Sequence, residues 1–420
     1  MLVFVLDAAS RMNARITQAG LASAVPEWPV IFLTEDTGKQ LNKELSAYHD
    51  AFFMTIHAGD RFDATFFDEL NEQLLRVPDN CAGLFIHPIP KESNSPAQRG
   101  KAPAVWRTAA VKQGGTDCFS GKDRLPFESY VMYEKWIQLS GTWEWQHMYS
   151  EKWIPCASKP PSWKRSDEEW TLAEPILRCK SLVRHDTIDP LISVVISTYN
   201  NAIYLPWAIR SVCAQSNANW ELLIVDDGST DHTREVLRSL EKDSRIRFIE
   251  NESNQGKAGC LNQALHQIRS GWLLELDADD WLTPDCLELL ITHVSMTSSD
   301  TALLYGNYYE WYERGTHQLI FSGVRNMPRV FDKQQFLAMG LPLAPRLYRV
   351  DALKQIGGWS QKDPSQGRLY EDFEMITRLS KGFPFSHIPR PLYHRRLRRS
   401  SITHQNYAQF SNWREWIEKQ

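Results

Sequence analysis

Three aspartates, Asp277, Asp279 and Asp280, close the apolar run WLLELDADDW (272–281). Carboxylates one residue apart at the tip of a buried strand suit a hard cation such as Mg2+ or Mn2+. Such an ion prefers oxygen ligands and leaves positions open for phosphate and water. An EF-hand loop starting at Asp277 is excluded, since it needs an oxygen ligand at Trp281 and a glycine at Leu282. For the triplet alone, a solvated turn capping the next helix is the plainer alternative. Two other segments shift the balance. VDDGSTD supplies Asp226 and Asp227, and STYNN supplies Ser197, Thr198 and Tyr199. A hydrogen-bond acceptor, a ring to stack on and a cation site together outline a pocket for a nucleoside diphosphate. Lys257, in NQGKAG at the start of a helical run, is placed to meet a phosphate alongside helix N–H groups. The chain has no GxxxxGK(S/T) loop and no GxGxxG, so ATPase and dinucleotide readings lack their main supports.

These residues need elements to hold them. LISVVIS, ELLIVDD, IRFIE and WLLEL read as short buried strands. Between and after them, LPWAIRSVCAQ, TREVLRSLEK, KAGCLNQALHQI and TPDCLELLITHV carry helical spacing, the last with Thr283 as N-cap and Pro284 in its first turn. Strands alternating with helices predict an α/β fold with a mostly parallel sheet and helices on both faces. Ligands in such sheets sit at the carboxyl ends of the strands, which is where Asp227 and Asp277 to Asp280 fall.

The first half repeats the second. EWPVIFLTEDTG (27–38) parallels NWELLIVDDGST (219–230), and AFFMTIHAGDRF (51–62) parallels GWLLELDADDWL (271–282). APAVWRTAAVKQGG (102–115) parallels APRLYRVDALKQIGG (344–358), and FESYVMYEKWIQLSG (127–141) parallels YEDFEMITRLSKG (370–382). Four pairs in one order predict a shorter, diverged copy of the same fold over 1–150. A Pro- and charge-rich linker follows at 151–189, then the second copy at 190–405 and a tail at 406–420.

At 420 residues the chain has room for two domains, and its 42% hydrophobic and 23% charged residues are globular values. A net charge of −4 calls for neither nucleic acid nor an anionic membrane. No apolar stretch is long enough to span a bilayer, and the N-terminus does not read as a signal peptide. Seven cysteines without a close pair suit reduced thiols in the cytoplasm, without a zinc site or disulfide framework. The sixteen tryptophans fit sugar stacking, but fit an ordinary core better.

Residues 190 to about 404 resemble the family 2 glycosyltransferases of the GT-A fold. The resemblance lies in STYNN, VDDGSTD, NQGKAGCLNQAL, LDADD, APRLYRVDALKQIGGWS, YEDFEMITRL and PLYHRRLRRSSIT. It implies two tandem GT-A-like (nucleotide-diphospho-sugar transferase, Rossmann-like) domains. It also implies inverting transfer of one sugar from a nucleotide donor, most often a UDP-sugar, aided by Mg2+ or Mn2+. By the same resemblance Ser197, Tyr199 and Asp227, with Thr198 beside them, hold the nucleotide base; Asp277 sits by the ribose and Asp279 binds the metal. Asp372 is the general base, with Glu371 and Trp359 on the acceptor side.

One departure stands out. The histidine of the family's tail motif is replaced in PLYHRRLRRSSIT by Arg398, with Arg396 nearby. Arginine pairs with phosphate rather than metal, while His394 and His404 lie close in sequence. There is no QxxRW motif, so a single-sugar, non-processive enzyme is expected. Its acceptor would be a surface glycan, a lipid-linked glycan or a protein, with at most peripheral association at the inner face of a membrane. A nucleotidyltransferase would carry a Gly- and Lys/Arg-rich loop where STYNN stands.

In the first copy Asp227, Asp277, Asp279 and Asp372 correspond to Glu35, His57, Gly59 and Ser129. The first copy is therefore expected to transfer nothing and to serve as a scaffold. Binding acceptor or pairing copies is its alternative. The rival for the whole chain is a non-catalytic nucleotide-sugar or glycan-binding protein. Residues 307–345 carry no readable specificity code.

Overall fold

A computed structural model describes residues 1–6, 8, 11–34, 36–63, 65–88, 103–113, 115, 118–121, 130–155, 173–174, 176–177, 191–238, 243–313, 319–329, 331–398 and 407–419. The chain divides into two compact units, Met1–Lys180 and Ser181–Gln420.

The first unit holds β1 (Leu2–Leu6), β2 (Val30–Phe32), β3 (Phe52–His57), β4 (Arg61–Phe62), β5 (Cys81–Pro88), β6 (Ala104–Arg107), β7 (Glu144–Ser150) and β8 (Trp153–Ile154). Six of them form one sheet in the order β2-β1-β3-β6-β5-β7, and β4 pairs with β8. Trp153–Ile154 falls in the stretch read as linker, so the first unit's fold runs further than expected; most of the remaining linker lies outside the described residues.

The second unit holds β9 (Ile192–Thr198), β10 (Trp220–Asp226), β11 (Ile246–Glu250), β12 (Trp272–Glu275), β13 (Trp281–Leu282), β14 (Leu303–Glu313), β15 (Leu319–Arg325), β16 (Arg346–Arg349) and β17 (Phe385–Leu397). Its sheet runs β11-β10-β9-β12-β16-β14-β17-β13, with β15 on β14. The four strands expected from the apolar runs, β11, β10, β9 and β12, are parallel. Beyond them the sheet is mixed: β16 is antiparallel to both neighbours, and β14 and β17 are again parallel. All seven residues of β10 are buried, as a strand covered on both faces requires.

Helices fill the connections. Leu205–Cys213 follows β9, with Leu205, Ile209 and Val212 buried on its inner face. Lys257–Leu265 buries Leu261 and Leu265. Cys286–Met296 starts later than expected: its N-cap is Asp285, and Thr283 instead bonds Leu392 O through both N–H and hydroxyl. The expected tail is a helix, Tyr407–Glu418, whose Trp413 and Ile417 belong to the second unit's core.

Strand order and direction coincide between the units, and so does register. Phe52↔Arg107 and Thr55↔Ala104 in the first ladder stand where Trp272↔Arg349 and Glu275↔Arg346 stand in the second. Val3 faces Met54 and Val30, as Val194 faces Leu274 and Leu222. Phe85 faces Ala104 and His147, as Tyr305 faces Arg346 and His387. A one-residue slip would turn every side chain to the other face, so agreement across these ladders fixes which residues occupy equivalent places.

Candidate functional site

The site is at the carboxyl end of the parallel strands, where the chain leaves each strand and backbone groups turn toward solvent. After β9, Asn200 adopts a left-handed conformation (φ 53°). Its Oδ1 accepts from the Thr230 and Asp231 N–H groups, tying the β9 and β10 loops together. Tyr199 leaves this loop 44% exposed, a ring available for stacking. Ser197 is half-buried and Thr198 fully buried.

Asp227 is buried, and its carboxylate is already engaged. Oδ1 accepts from Gln255 N at 2.7 Å and Asn251 Nδ2 at 3.2 Å, and Oδ2 accepts from Gly256 N at 2.9 Å. Gly256 has φ 83°, and a Cβ there would meet the Arg368 side chain at 3.0 Å, so glycine is needed for this close turn. Asp227 thus shapes the loop that starts the Lys257 helix.

Lys257 was expected to face phosphate. Its Nζ lies instead among three carboxylates: Asp277 Oδ1 at 2.5 Å, Glu275 Oε1 at 2.9 Å and Glu371 Oε1 at 3.0 Å. Beside it is Arg346, a residue the sequence reading did not single out. Its guanidinium is 3% exposed and forks onto Glu275, Nε to Oε2 at 3.1 Å and Nη2 to Oε1 at 2.9 Å. Nη2 also reaches Asp277 Oδ2 at 3.1 Å, and Nη1 reaches Asp372 Oδ2 at 3.2 Å. Four carboxylates and two cations therefore form one connected, largely buried cluster. Cross-strand pairing of Glu275 with Arg346 was the signal for it, and that signal needs the β12–β16 register.

The cluster spreads the acidities of its members. Burial opposes ionisation of Asp277, but Lys257 and Arg346 outweigh it and hold Asp277 well below the usual carboxylate range. Burial raises Asp372, and Arg346 and Lys257 only partly offset it. Glu371, buried and with weaker cationic support, is pushed up to about 7. Glu371 and Asp372 begin the helix Glu371–Leu379, where backbone N–H groups favour negative charge. The residue before them, Tyr370, has φ 59°, a conformation costly for a side-chain-bearing residue. Its ring packs on Phe410 and Trp413 of the terminal helix, which hold it there.

Asp279 stands apart from this cluster. It is 20% exposed, and Arg398 Nε donates to its Oδ2 at 2.9 Å. Arg398 also donates to Asn201 Oδ1 at 3.1 Å and lies over the Tyr204 ring. Arg396 is buried: Nε donates to Asp279 O, its N–H donates to Asp280 Oδ1, and Glu313 Oε2 lies 3.5 Å from Nη1. It braces the loop that carries Asp279 and Asp280. Asp280 also accepts from Tyr393 OH at 2.8 Å, and burial, with the neighbouring Asp279 and Asp277 charges, raises its pKa well above the usual carboxylate range. His394 lies in the core. It is fully buried, stacked 4.9 Å from Trp281, with Nδ1 accepting from Trp311 Nε1, and burial lowers its pKa to about 3. His404 lies outside the described residues. Trp359, expected on the acceptor side, is buried against Tyr348 with its backbone bonded to Asn262.

Among the described residues no group of three His, Cys, Asp or Glu side chains gathers to hold an ion. A single carboxylate at a strand end, Asp279, still fits Mg2+ or Mn2+, which take most of their ligands from phosphate and water. No helix among the described residues is long and apolar enough to cross a membrane. The five described cysteines are free thiols, and Cys156 and Cys179 lie outside the described residues.

In the first unit the same places hold other residues. Thr55, His57, Gly59 and Ala104 stand where Glu275, Asp277, Asp279 and Arg346 stand in the second. The helix Val131–Leu139 equals Glu371–Leu379 in length and, matched end to end, sets Met132 against Asp372 and Val131 against Glu371. The expected partner of Asp372, Ser129, lies with Glu35 outside the described residues.

Residues 193–357, within the second unit, match the family described as "Glycosyl transferase family 2". Glycosyltransferase GlyA of Streptococcus pneumoniae serotype 4 is 26% identical over 249 residues, which are 55% of this chain and 33% of that protein. The Escherichia coli enzyme UDP-Glc:alpha-D-GlcNAc-diphosphoundecaprenol beta-1,3-glucosyltransferase WfgD is 39% identical over 121 residues, 29% of this chain and 46% of that one. The matches span a third to about half of these relatives. Staphylococcus aureus TarS 1–349, solved with UDP-GlcNAc, aligns at 18% identity and a TM-score of 0.43, covering 54% of this chain and 65% of that one.

Proposed function

We propose that the second unit transfers a single sugar from a nucleotide-sugar donor, a UDP-sugar first among them, to a hydroxyl acceptor with inversion. The observation that carries this reading is the cluster in which Arg346 holds both Asp277 and Asp372. Inversion is one displacement: the acceptor oxygen attacks the anomeric carbon as the nucleoside diphosphate leaves. A hydroxyl attacks well only while its proton is removed, and Asp372, with its raised pKa, is suited to take it. Asp277, kept ionised, accepts from the ribose hydroxyls. Tyr199 stacks on the base, Ser197 and Thr198 line the same strand end, and Asp227 fixes the loop beneath it. Glu371 and Lys257 maintain the charge balance of the cluster, and Trp359 supports the wall behind it.

The leaving diphosphate gains charge, and Arg398 is the cation placed to meet it, braced by Asp279, Asn201 and Arg396. When a divalent cation is bound, Asp279 would hold it, and it would add to that neutralisation. The first unit, on this reading, is a diverged copy that transfers nothing and serves as a scaffold; the register match supports it. The acceptor is a glycan, lipid-linked glycan or protein.

Calorimetry of UDP, with and without Mn2+, on the full chain and on Asp279→Ala tests the donor side. Binding that weakens in the variant supports the placement; failure to bind UDP, GDP or dTDP in any condition refutes the transferase reading.

A further inference from the structure

We propose that Arg346, held in plane by Glu275, is a positioning residue that fixes the base Asp372 relative to the donor-side carboxylate Asp277. This rests on the transferase reading above. The guanidinium uses Nε and Nη2 on the two oxygens of Glu275, Nη2 again on Asp277, and Nη1 on Asp372 and the Leu343 carbonyl. Because the fork is planar and rigid, the three carboxylates take up set places around it; a lysine ammonium has no such plane. The second oxygen of Asp372 accepts from Phe373 N at 2.9 Å, so both of its oxygens are directed. One side chain thus joins three elements: β12 with Glu275, the loop after it with Asp277, and the helix carrying the base.

The fold itself does not call for this pair. The first unit builds the equivalent ladder, β3–β6, with Thr55 opposite Ala104, and its buried polar contacts there are neutral: Trp106 Nε1 donates to Thr55 Oγ1 at 2.8 Å, and Thr55 Oγ1 donates to Ala104 O at 3.4 Å. Burying a carboxylate and a guanidinium costs desolvation that their attraction seldom exceeds. A pair absent from a folded equivalent, and placed between the donor carboxylate and the base, is explained by what it positions.

The test uses the full chain and donor hydrolysis, in which water replaces the acceptor and nucleoside diphosphate is released. The probes are UDP-glucose, UDP-GlcNAc, GDP-mannose and dTDP-glucose, together with UDP calorimetry and thermal unfolding. Arg346→Lys keeps the charge and loses the fork. It is expected to lower kcat on the order of 100-fold while UDP affinity changes by no more than about threefold and Tm by about 5 °C. The paired variant Glu275→Leu/Arg346→Met removes both charges and is expected to lose kcat equally, with a Tm no lower than the parent. Wild-type kcat in Arg346→Lys, or a paired variant that unfolds more than about 10 °C early, would overturn the proposal and leave the transferase reading intact. A parent chain that binds no nucleoside diphosphate and hydrolyses no donor overturns the transferase reading, and the inference with it.

Discussion

The two units of this chain set the same ladders with opposite chemistry, which makes each a control for the other. Where the second unit buries Glu275 against Arg346, the first has Thr55 against Ala104. Where the second opens its site helix with Glu371 and Asp372 after a strained Tyr370, the first has Val131 and Met132 after Tyr130 at an ordinary φ of −98°. Asp280 and Asp60 are the exception. Each N–H donates back to the carbonyl three residues earlier, Asp277 or His57, and each carboxylate accepts from backbone N–H. An acid present in both units serves the turn; the acids present only in the second are the ones proposed for the site. The comparison therefore separates Asp280, which the triplet LDADD had made equal to its neighbours, from Asp277 and Asp279.

The sharpest way to break that comparison is Asp372→Asn. Donor turnover should fall by about 10² to 10⁴-fold with nucleotide binding kept, whereas Met132→Leu in the first unit should leave turnover alone. Equal losses would mean that the site helix acts through packing. Next, Arg346→Met alone strands Glu275 in a buried place and should cost about 3–5 kcal/mol in denaturant unfolding. Thr55→Val in the first unit, which removes a hydroxyl that accepts from Trp106 Nε1 and donates to Ala104 O, should cost about 1–3 kcal/mol. Asp279→Ala releases Arg398 and should weaken UDP by about 10-fold in calorimetry, a figure typical of losing a supporting charge. The smallest effect concerns Glu371, whose pKa is raised from 4.5 to about 7. The folded state then binds more protons than the unfolded state between those values. Its contribution to stability is complete below about pH 4.5 and is lost as pH rises through about 7. Glu371→Gln should flatten that part of a Tm-against-pH curve; an unchanged slope would assign it to other groups.

Much of this was legible in the residues. The apolar runs LISVVIS, ELLIVDD and WLLEL marked buried parallel strands, because length and composition report burial on both faces. The four repeated segments marked two similar sheets before any pairing was known. Less legible were the caps and partners. Thr283 carries the right side chain for an N-cap, but its bonds to Leu392 drew it away from the helix. Lys257 has the position of a phosphate ligand, yet three carboxylates from β12, its loop and the site helix surround it. His394 lies close in sequence to the place of the tail motif's histidine, and the fold packs it among Trp281, Tyr309 and Trp311.

The sequence by itself determined the class of fold, the strand ends at which chemistry gathers, and the acids that stand there, since all of these follow from local periodicity and residue type. Tertiary structure alone decided which charges meet. Arg346 lies 71 residues from Glu275 and 26 from Asp372, and only antiparallel pairing of β16 with β12 brings its guanidinium between them. A buried charge takes its meaning from its partners, and partners so far apart in the chain are set by register rather than by spacing.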